Sequence, residues 1–287
     1  MGLLASIALV ATVVVNLDVR HAPKTAVLDE ACATLSTEQA RWSFAIRNMR
    51  AHGNEGRSFR FLGGNGLGSG FCNLASPVGL TVNGISWSKL QLDPGTVRRF
   101  SGEKTEGVEF TLCFDGALVN LRASMREGSP TLDWEVRPLT TGSRPVTNVD
   151  VRVSAIPSHL RTGEGRFFGY RRQVRTDRRL LPPQKSGKIV LPGDERLFVF
   201  EDAEFDGSAE GRGHGPSAVL LQDPTGGHVA LNDSWLTDVH FAPDPAKPFR
   251  FSLFESPGRR LSNAEFEKQA VALRGEFFNT QPRILER

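Results

Sequence analysis

From residue 78 onward, apolar and polar side chains alternate in short runs broken by turn residues. Val149, Val151 and Val153 alternate with Asp150, Arg152 and Ser154, and Phe249, Phe251 and Leu253 alternate with Arg250 and Ser252. A period of two gives a strand one buried and one solvated face. Segments 78–82 and 85–92 flank Asn83-Gly84, and segments 107–114 and 117–125 flank Asp115-Gly116. Both dipeptides readily take the positive φ angles of a two-residue hairpin turn, so the spacing predicts two antiparallel hairpins. Segments 196–200, 217–222 and 228–232 add further strands, the last two joined by Asp223-Pro224-Thr225-Gly226-Gly227. The pattern amounts to at least about ten candidate strands.

Helical periodicity is confined to the C-terminus. Ser262 followed by Glu265 reads as a capping box, and Phe266, Ala270, Leu273 and Phe277 recur at helical spacing up to a break at 279–282. The stretch 36–50 fits either period; in a strand-rich chain we read it as strand from Arg41 onward. There is no internal repeat and no alternation of strands with helices that would imply a parallel sheet. The expected fold is mainly β: an antiparallel, supersandwich-like β-sandwich with one C-terminal helix, forming a single domain over residues 34–287. The Gly-rich run 62–70 and the stretch 180–188 are expected to be surface loops.

Residues 1–17 contain no charged side chain and carry the apolar run Leu3, Leu4, Ile7, Leu9, Val10, Val13, Val14 and Val15. A signal peptide or an N-terminal anchor within residues 1–33 is the expectation, with a buried strand as the remaining reading. Export follows from it, to a secreted or periplasmic location, with membrane contact only through such an anchor. A content of 39% hydrophobic and 23% charged residues excludes a disordered or multi-span chain. The net charge of +3 is too small to argue for a nucleic-acid partner. Cys32, Cys72 and Cys113 lack the paired spacings of a structural zinc site. Cys72 and Cys113 are read either as a disulfide or as two small apolar side chains.

Charge is segregated further along. Arg161, Arg166, Arg171, Arg172, Arg175, Arg178, Arg179, Lys185 and Lys188 face only Glu164 and Asp177, with Phe167, Phe168 and Tyr170 interleaved. Cations beside aromatic faces suit an acidic polysaccharide or another polyanion, which makes Arg161, Tyr170, Arg171, Arg172 and the aromatic Trp235 candidate ligand contacts. The competing reading is a solvated edge strand guarded by charge. Downstream the sign reverses through Asp194, Glu195, Glu201, Asp202, Glu204, Asp206 and Glu210, so the two stretches are expected to neutralise each other in part. Asp202, Glu204 and Asp206 before Gly207 approximate a calcium loop, with Glu at its middle position and no closing bidentate Glu. No other cofactor is expected. The run Gly63 to Gly70 lacks the Gly-Lys-Ser/Thr ending of a phosphate loop.

Of six histidines none has the paired helical spacing of a zinc hydrolase. His214, in the loop Gly211-Arg212-Gly213-His214-Gly215-Pro216, and His159, beside a predicted strand, are the candidate acid and base. No Gly-x-Ser-x-Gly elbow is present. Carboxylates flank Trp134 (Asp133, Glu135) and Trp235 (Asp233, Asp238).

The segments Asn73-Leu74-Ala75-Ser76-Pro77, Asn83-Gly84-Ile85-Ser86-Trp87 and VNLRASMREGSPTLDWEV (119–136) resemble the galactose-mutarotase-like supersandwich of aldose epimerases and of accessory domains in polysaccharide-processing enzymes. In the family's enzymes two histidines and a carboxylate surround the sugar ring. The resemblance implies that His159, His214 and Glu255, which occur in the corresponding order, would take those places. Three functions are expected in turn: an exported carbohydrate-associated protein binding a glycan, with acidic glycans the kind that suits its 161–179 surface; a sugar epimerase or glycan-cleaving enzyme using His/Glu acid–base chemistry; and a structural envelope or protein-interaction module.

Overall fold

The computed structural model describes residues 13–20, 30–50, 57–65, 74, 78–90, 93–155, 160–161, 167–168, 172–181, 187–203, 205, 216–231, 237–255 and 261–279. In chain order the elements are β1 (Val14–Arg20), β2 (Glu30–Ser36), β3 (Arg41–Arg50), β4 (Arg57–Asn65), β5 (Val78–Val82), β6 (Ile85–Ser86) and β7 (Arg98–Gly102). There follow β8 (Thr105–Phe114), β9 (Ala117–Arg126), β10 (Leu132–Leu139), β11 (Val149–Ala155), β12 (Leu160–Arg161), β13 (Phe167–Phe168) and β14 (Arg172–Thr176). The remainder are β15 (Leu180–Leu181), β16 (Gly187–Leu191), β17 (Leu197–Asp202), β18 (Ser217–Leu221), β19 (Gly227–Leu231), β20 (Thr237–Phe241), β21 (Phe249–Glu255) and α1 (Asn263–Asn279). The chain is a mainly β, antiparallel sandwich with one C-terminal helix.

Nine strands form one sheet in the order β15-β14-β17-β18-β21-β10-β9-β8-β7, and six form its partner in the order β16-β19-β20-β11-β5-β6. A meander of β1 to β4 and the short pair β12-β13 complete the set. Both predicted hairpins form: Asn83 and Gly84 sit at φ 49° and 80°, Asp115 and Gly116 at φ 51° and 90°. The strand expected over 85–92 instead stops at Ser86. The Ser86 hydroxyl accepts from the Ser88 amide at 3.3 Å, the Leu90 amide bonds back to the Trp87 carbonyl, and a 3₁₀ turn buries Trp87. A short side-chain acceptor offered the backbone a local alternative to the ladder.

The alternating residues turn inward as expected. Trp134, Phe198, Phe241, Phe249 and Phe251 meet between the two large sheets, with Trp134 and Phe251 parallel at 6.3 Å and Phe198 edge-on to Phe241 at 5.2 Å. Each such ring contributes about 2–3 kcal/mol by leaving water. Val13 and Val15 join this core together with Leu35 and Trp42, so residues 14–20 are strand, and residue 33 falls inside β2. No helix among the described residues is long and apolar enough to cross a membrane.

The outer face of the nine-stranded sheet is covered in two ways. Over β17, β18 and β21, α1 packs Phe266 and Ala270 onto Val199, Leu220 and Phe254. Over β7 to β10 and β21 a row of alternating charge runs across five strands: Arg98, Glu109, Arg122, Glu135 and Arg250 are successive cross-strand neighbours. Glu109 takes Arg98 at 2.5 Å and Arg122 at 2.7 Å, while Arg250 reaches Glu135 at 3.0 Å. Arg122 also lies over the Phe100 ring at 4.8 Å. Cys113 is an exposed free thiol on β8, and Cys72, the disulfide partner considered for it, lies outside the described residues.

Burial alone would raise the Glu109 carboxyl, but the bonds and charges of Arg98 and Arg122 outweigh it and hold the group below its ordinary range. A depressed carboxylate stabilises the fold above its unfolded pKa and loses that contribution as pH falls through the folded value. Glu109→Gln should therefore cost about 1–2 kcal/mol near neutrality and much less in acid, measured by urea denaturation across the acid range. An equal loss at every pH would contradict this assignment.

Candidate functional site

Of the expected site residues, Arg172 opens β14, Asp202 closes β17 and Glu255 closes β21. The Glu255 carboxylate, at the end of β21, accepts a hydrogen bond from the Leu74 amide at 2.9 Å, which ties that end of the nine-stranded sheet to the approach to β5. Arg172, Asp202, Ser217 and Glu255 all lie at this end, and all are buried. Glu255 is thus fixed to backbone, with its strand neighbours Leu253 and Phe251 in the core. His159, His214, Tyr170, Arg171, Trp235, Glu204 and Asp206 lie outside the described residues, as does the side chain of Arg161, whose backbone belongs to β12.

Two expectations change for the described residues. The 161–179 stretch is no open cationic surface where it is described, because β14 is an interior strand between β15 and β17. Arg172 is 1% exposed and directly opposite Asp202 in the ladder. Arg175 reaches Glu201 at 3.2 Å, Arg178 reaches Asp194 at 2.6 Å and Arg179 reaches Glu195 at 2.8 Å, so the acidic stretch neutralises the basic one in contact. Asp202, the described member of the expected calcium set, is wholly buried opposite a guanidinium instead of lying on a solvated loop. Among the described residues no group of three His, Cys, Asp or Glu side chains could hold a metal ion.

At the same end lies a cavity of about 490 Å³ lined by Gln39, Gly128, Pro130, Phe254, Gln269 and Leu273 among others. Among the described residues, three separate pieces of chain line it. In the β2–β3 turn the Thr37 hydroxyl accepts from the amides of Gln39 and Ala40, both at 3.2 Å. That turn is pinned to the β9–β10 turn where the Trp42 indole donates to the Pro130 carbonyl at 3.0 Å. Gly128 takes φ +75°, which a side chain would oppose. The third piece is α1, started by a reciprocal capping box: the Ser262 amide donates to Glu265 at 3.1 Å and the Glu265 amide to the Ser262 hydroxyl at 3.4 Å. Asn263 anchors the same turn by donating to the Asp202 carbonyl at 2.7 Å, and Phe254 and Phe266 stack at 4.8 Å beneath the helix.

Among the described residues the cavity lining carries no charged side chain: two amides, Gln39 and Gln269, stand over apolar walls from Pro130, Phe254 and Leu273. Such a surface can hydrogen-bond hydroxyl groups and cover a C–H face at once. Sequence reasoning named none of these residues as ligand contacts, because Gln39 and Gln269 are far apart in the chain and meet only where two turns and a helix pack. The one available signal was the capping box, which places α1.

Behind the β9–β10 turn, Asp133 accepts from the hydroxyls of Ser252 at 2.6 Å and Thr131 at 2.9 Å and lies 3.5 Å from Arg126. Burial raises its carboxyl above the ordinary range despite these partners.

No protein-family model matches the chain, and no curated protein does. Among solved structures it is similar to the GH36 α-galactosidase AgaA from Geobacillus stearothermophilus, solved with stachyose, at 10% identity and a TM-score of 0.44, over 79% of this chain and 41% of that one. It is also similar to the GH36 α-galactosidase AgaB from the same organism, at 11% identity and a TM-score of 0.44, over 84% of this chain and 41% of that one. The chain spans about two-fifths of the length of either, and likeness of this degree carries no functional argument.

Because the charged form of Asp133 is the disfavoured one, its contribution to stability declines as pH rises from the unfolded carboxyl value through the raised folded one. An NMR titration should place the Asp133 midpoint above that of an ordinary aspartate, and Arg126→Ala should move it higher still. A midpoint at or below the ordinary value would show that the turn leaves this carboxylate hydrated.

Proposed function

We propose that the protein is a carbohydrate-binding β-sandwich whose cavity beside α1 holds a neutral oligosaccharide. The observation that supports it is the cavity itself. Its volume of about 490 Å³ suits a ligand of one to a few sugar rings, and its described lining offers amide donors and acceptors beside apolar walls, with no charged side chain among them. A sugar ring presents the same two chemistries, hydroxyls at its rim and C–H groups on its faces. The uncharged side chains of the described lining favour a neutral glycan over the acidic one expected from the 161–179 segment. Export is part of the proposal and rests on the apolar run of residues 1–17 alone; the intact mass of protein collected outside the cell tests it.

Ala272 lines the cavity and is exposed, so Ala272→Trp fills it without disturbing the core. Neutral oligosaccharides, surveyed on a glycan array and followed by calorimetry, should bind wild type and lose at least about tenfold in affinity in Ala272→Trp, the equivalent of about 1.4 kcal/mol. Gln39→Ala with Gln269→Ala should weaken binding similarly by removing the hydroxyl partners. Absence of any neutral glycan ligand, or undiminished binding in Ala272→Trp, would defeat the proposal.

A further inference from the structure

The polar cluster around Asp133 adjoins the cavity along the outer face of the nine-stranded sheet. Pro130, a cavity wall, is followed by Thr131, whose hydroxyl lies 2.8 Å from that of Ser129 and donates to Asp133 at 2.9 Å. On the neighbouring strand Phe254 is another wall, and Ser252, the cross-strand partner of Asp133, is the next residue of β21 on the same face. Side chains two apart on a strand stand about 7 Å from each other, the reach of roughly one pyranose unit. The side chains of Asp133 and Arg126 are 18% and 24% exposed, so both are open to solvent at this step beyond the cavity.

A carboxylate offers about four acceptor positions. Ser252 at 2.6 Å and Thr131 at 2.9 Å both donate to Oδ1, whereas Oδ2 meets Arg126 Nη2 at 3.5 Å and no other donor among the described residues. Oδ1 is therefore filled and holds the group in place, and Oδ2 keeps an acceptor position open. From this geometry we propose that Asp133 and Arg126 form a subsite for the sugar residue next to the one in the cavity, and that it recognises two vicinal hydroxyls. One hydroxyl donates to Asp133 Oδ2 and its neighbour accepts from Arg126. The inference rests on the cavity holding a neutral glycan. A hydroxyl bonded to a carboxylate makes a stronger hydrogen bond than one bonded to an amide, and a sugar lacking that hydroxyl would leave Oδ2 desolvated and unpaired, which a polar site penalises. Asp133 and Arg126 also balance in charge, which suits a neutral sugar unit; a uronic acid placed here would meet the Asp133 carboxylate.

Calorimetry with ladders of glucose, mannose, galactose and xylose oligomers, from the single sugar upward, tests the subsite. Wild type should gain at least about tenfold in affinity when the second or third unit is added. Asp133→Asn, which keeps an oxygen for Ser252 and Thr131, and Arg126→Gln should each lose that gain while binding the single sugar as wild type does. Wild-type carbon NMR needs no variant: the Asp133 carboxyl signal should move on adding the longer oligomer and stay in place with the single sugar. A length gain that persists in both variants, or an Asp133 signal unmoved at saturating oligomer, would overturn the subsite and leave the cavity reading standing, since Ala272→Trp would still weaken binding. Wild type that binds no oligomer in any ladder would overturn both.

Discussion

The nine-stranded sheet has two faces, and most of the structure follows from how each is taken out of water. Its inner face is covered by the six-stranded sheet, so that Trp134, Phe249 and Phe251 from one layer interlock with Phe241 and its neighbours from the other. Its outer face is apolar only over β17, β18 and β21, and α1 covers that part. Over β7 to β10 the outward positions are polar, and a charged row from Arg98 to Arg250 pairs strand by strand across them. Two solutions to one problem meet along β21, whose outward residues are Arg250 and Ser252 on the charged side and Phe254 under the helix.

That seam is where the cavity opens. A helix and two turns cannot close as tightly as paired strands can, and the space left between α1, the β2–β3 turn and the β9–β10 turn is lined by amides and apolar groups. The six-stranded sheet has no helix on its outer face among the described elements. Its outward residues Asp150, Arg152, His228, Asp238 and His240 on β11, β19 and β20 are therefore polar and half-exposed, which is the setting that lets two histidines stack beside a carboxylate.

Much of the architecture was legible in the sequence because its signals are local. Asn83-Gly84 and Asp115-Gly116 fix two hairpins through backbone angles that few other pairs accept, and Ser262 with Glu265 fixes the start of α1. Period-two alternation assigned the inward residues of β11 and β21. The misreadings have equally local causes: Ser86 diverted the chain into a 3₁₀ turn, and the density of arginine before residue 179 hid the fact that β14 lies inside the sheet. The cavity was illegible because Gln39, Pro130 and Gln269 become neighbours only through packing of distant segments. The histidine pair was half legible, since His228 sat on an expected strand, but nothing in the spacing announces that His240 lies across from it.

The central claim is that the two large sheets close on one interlocked aromatic layer, with β9, β10 and β21 at its middle. Amide hydrogen exchange followed by mass spectrometry tests this most directly. The account requires the slowest exchange in peptides covering 117–139 and 249–255, with residues 94–104 at the sheet edge exchanging far sooner. Exchange in 117–139 as fast as at that edge would contradict it.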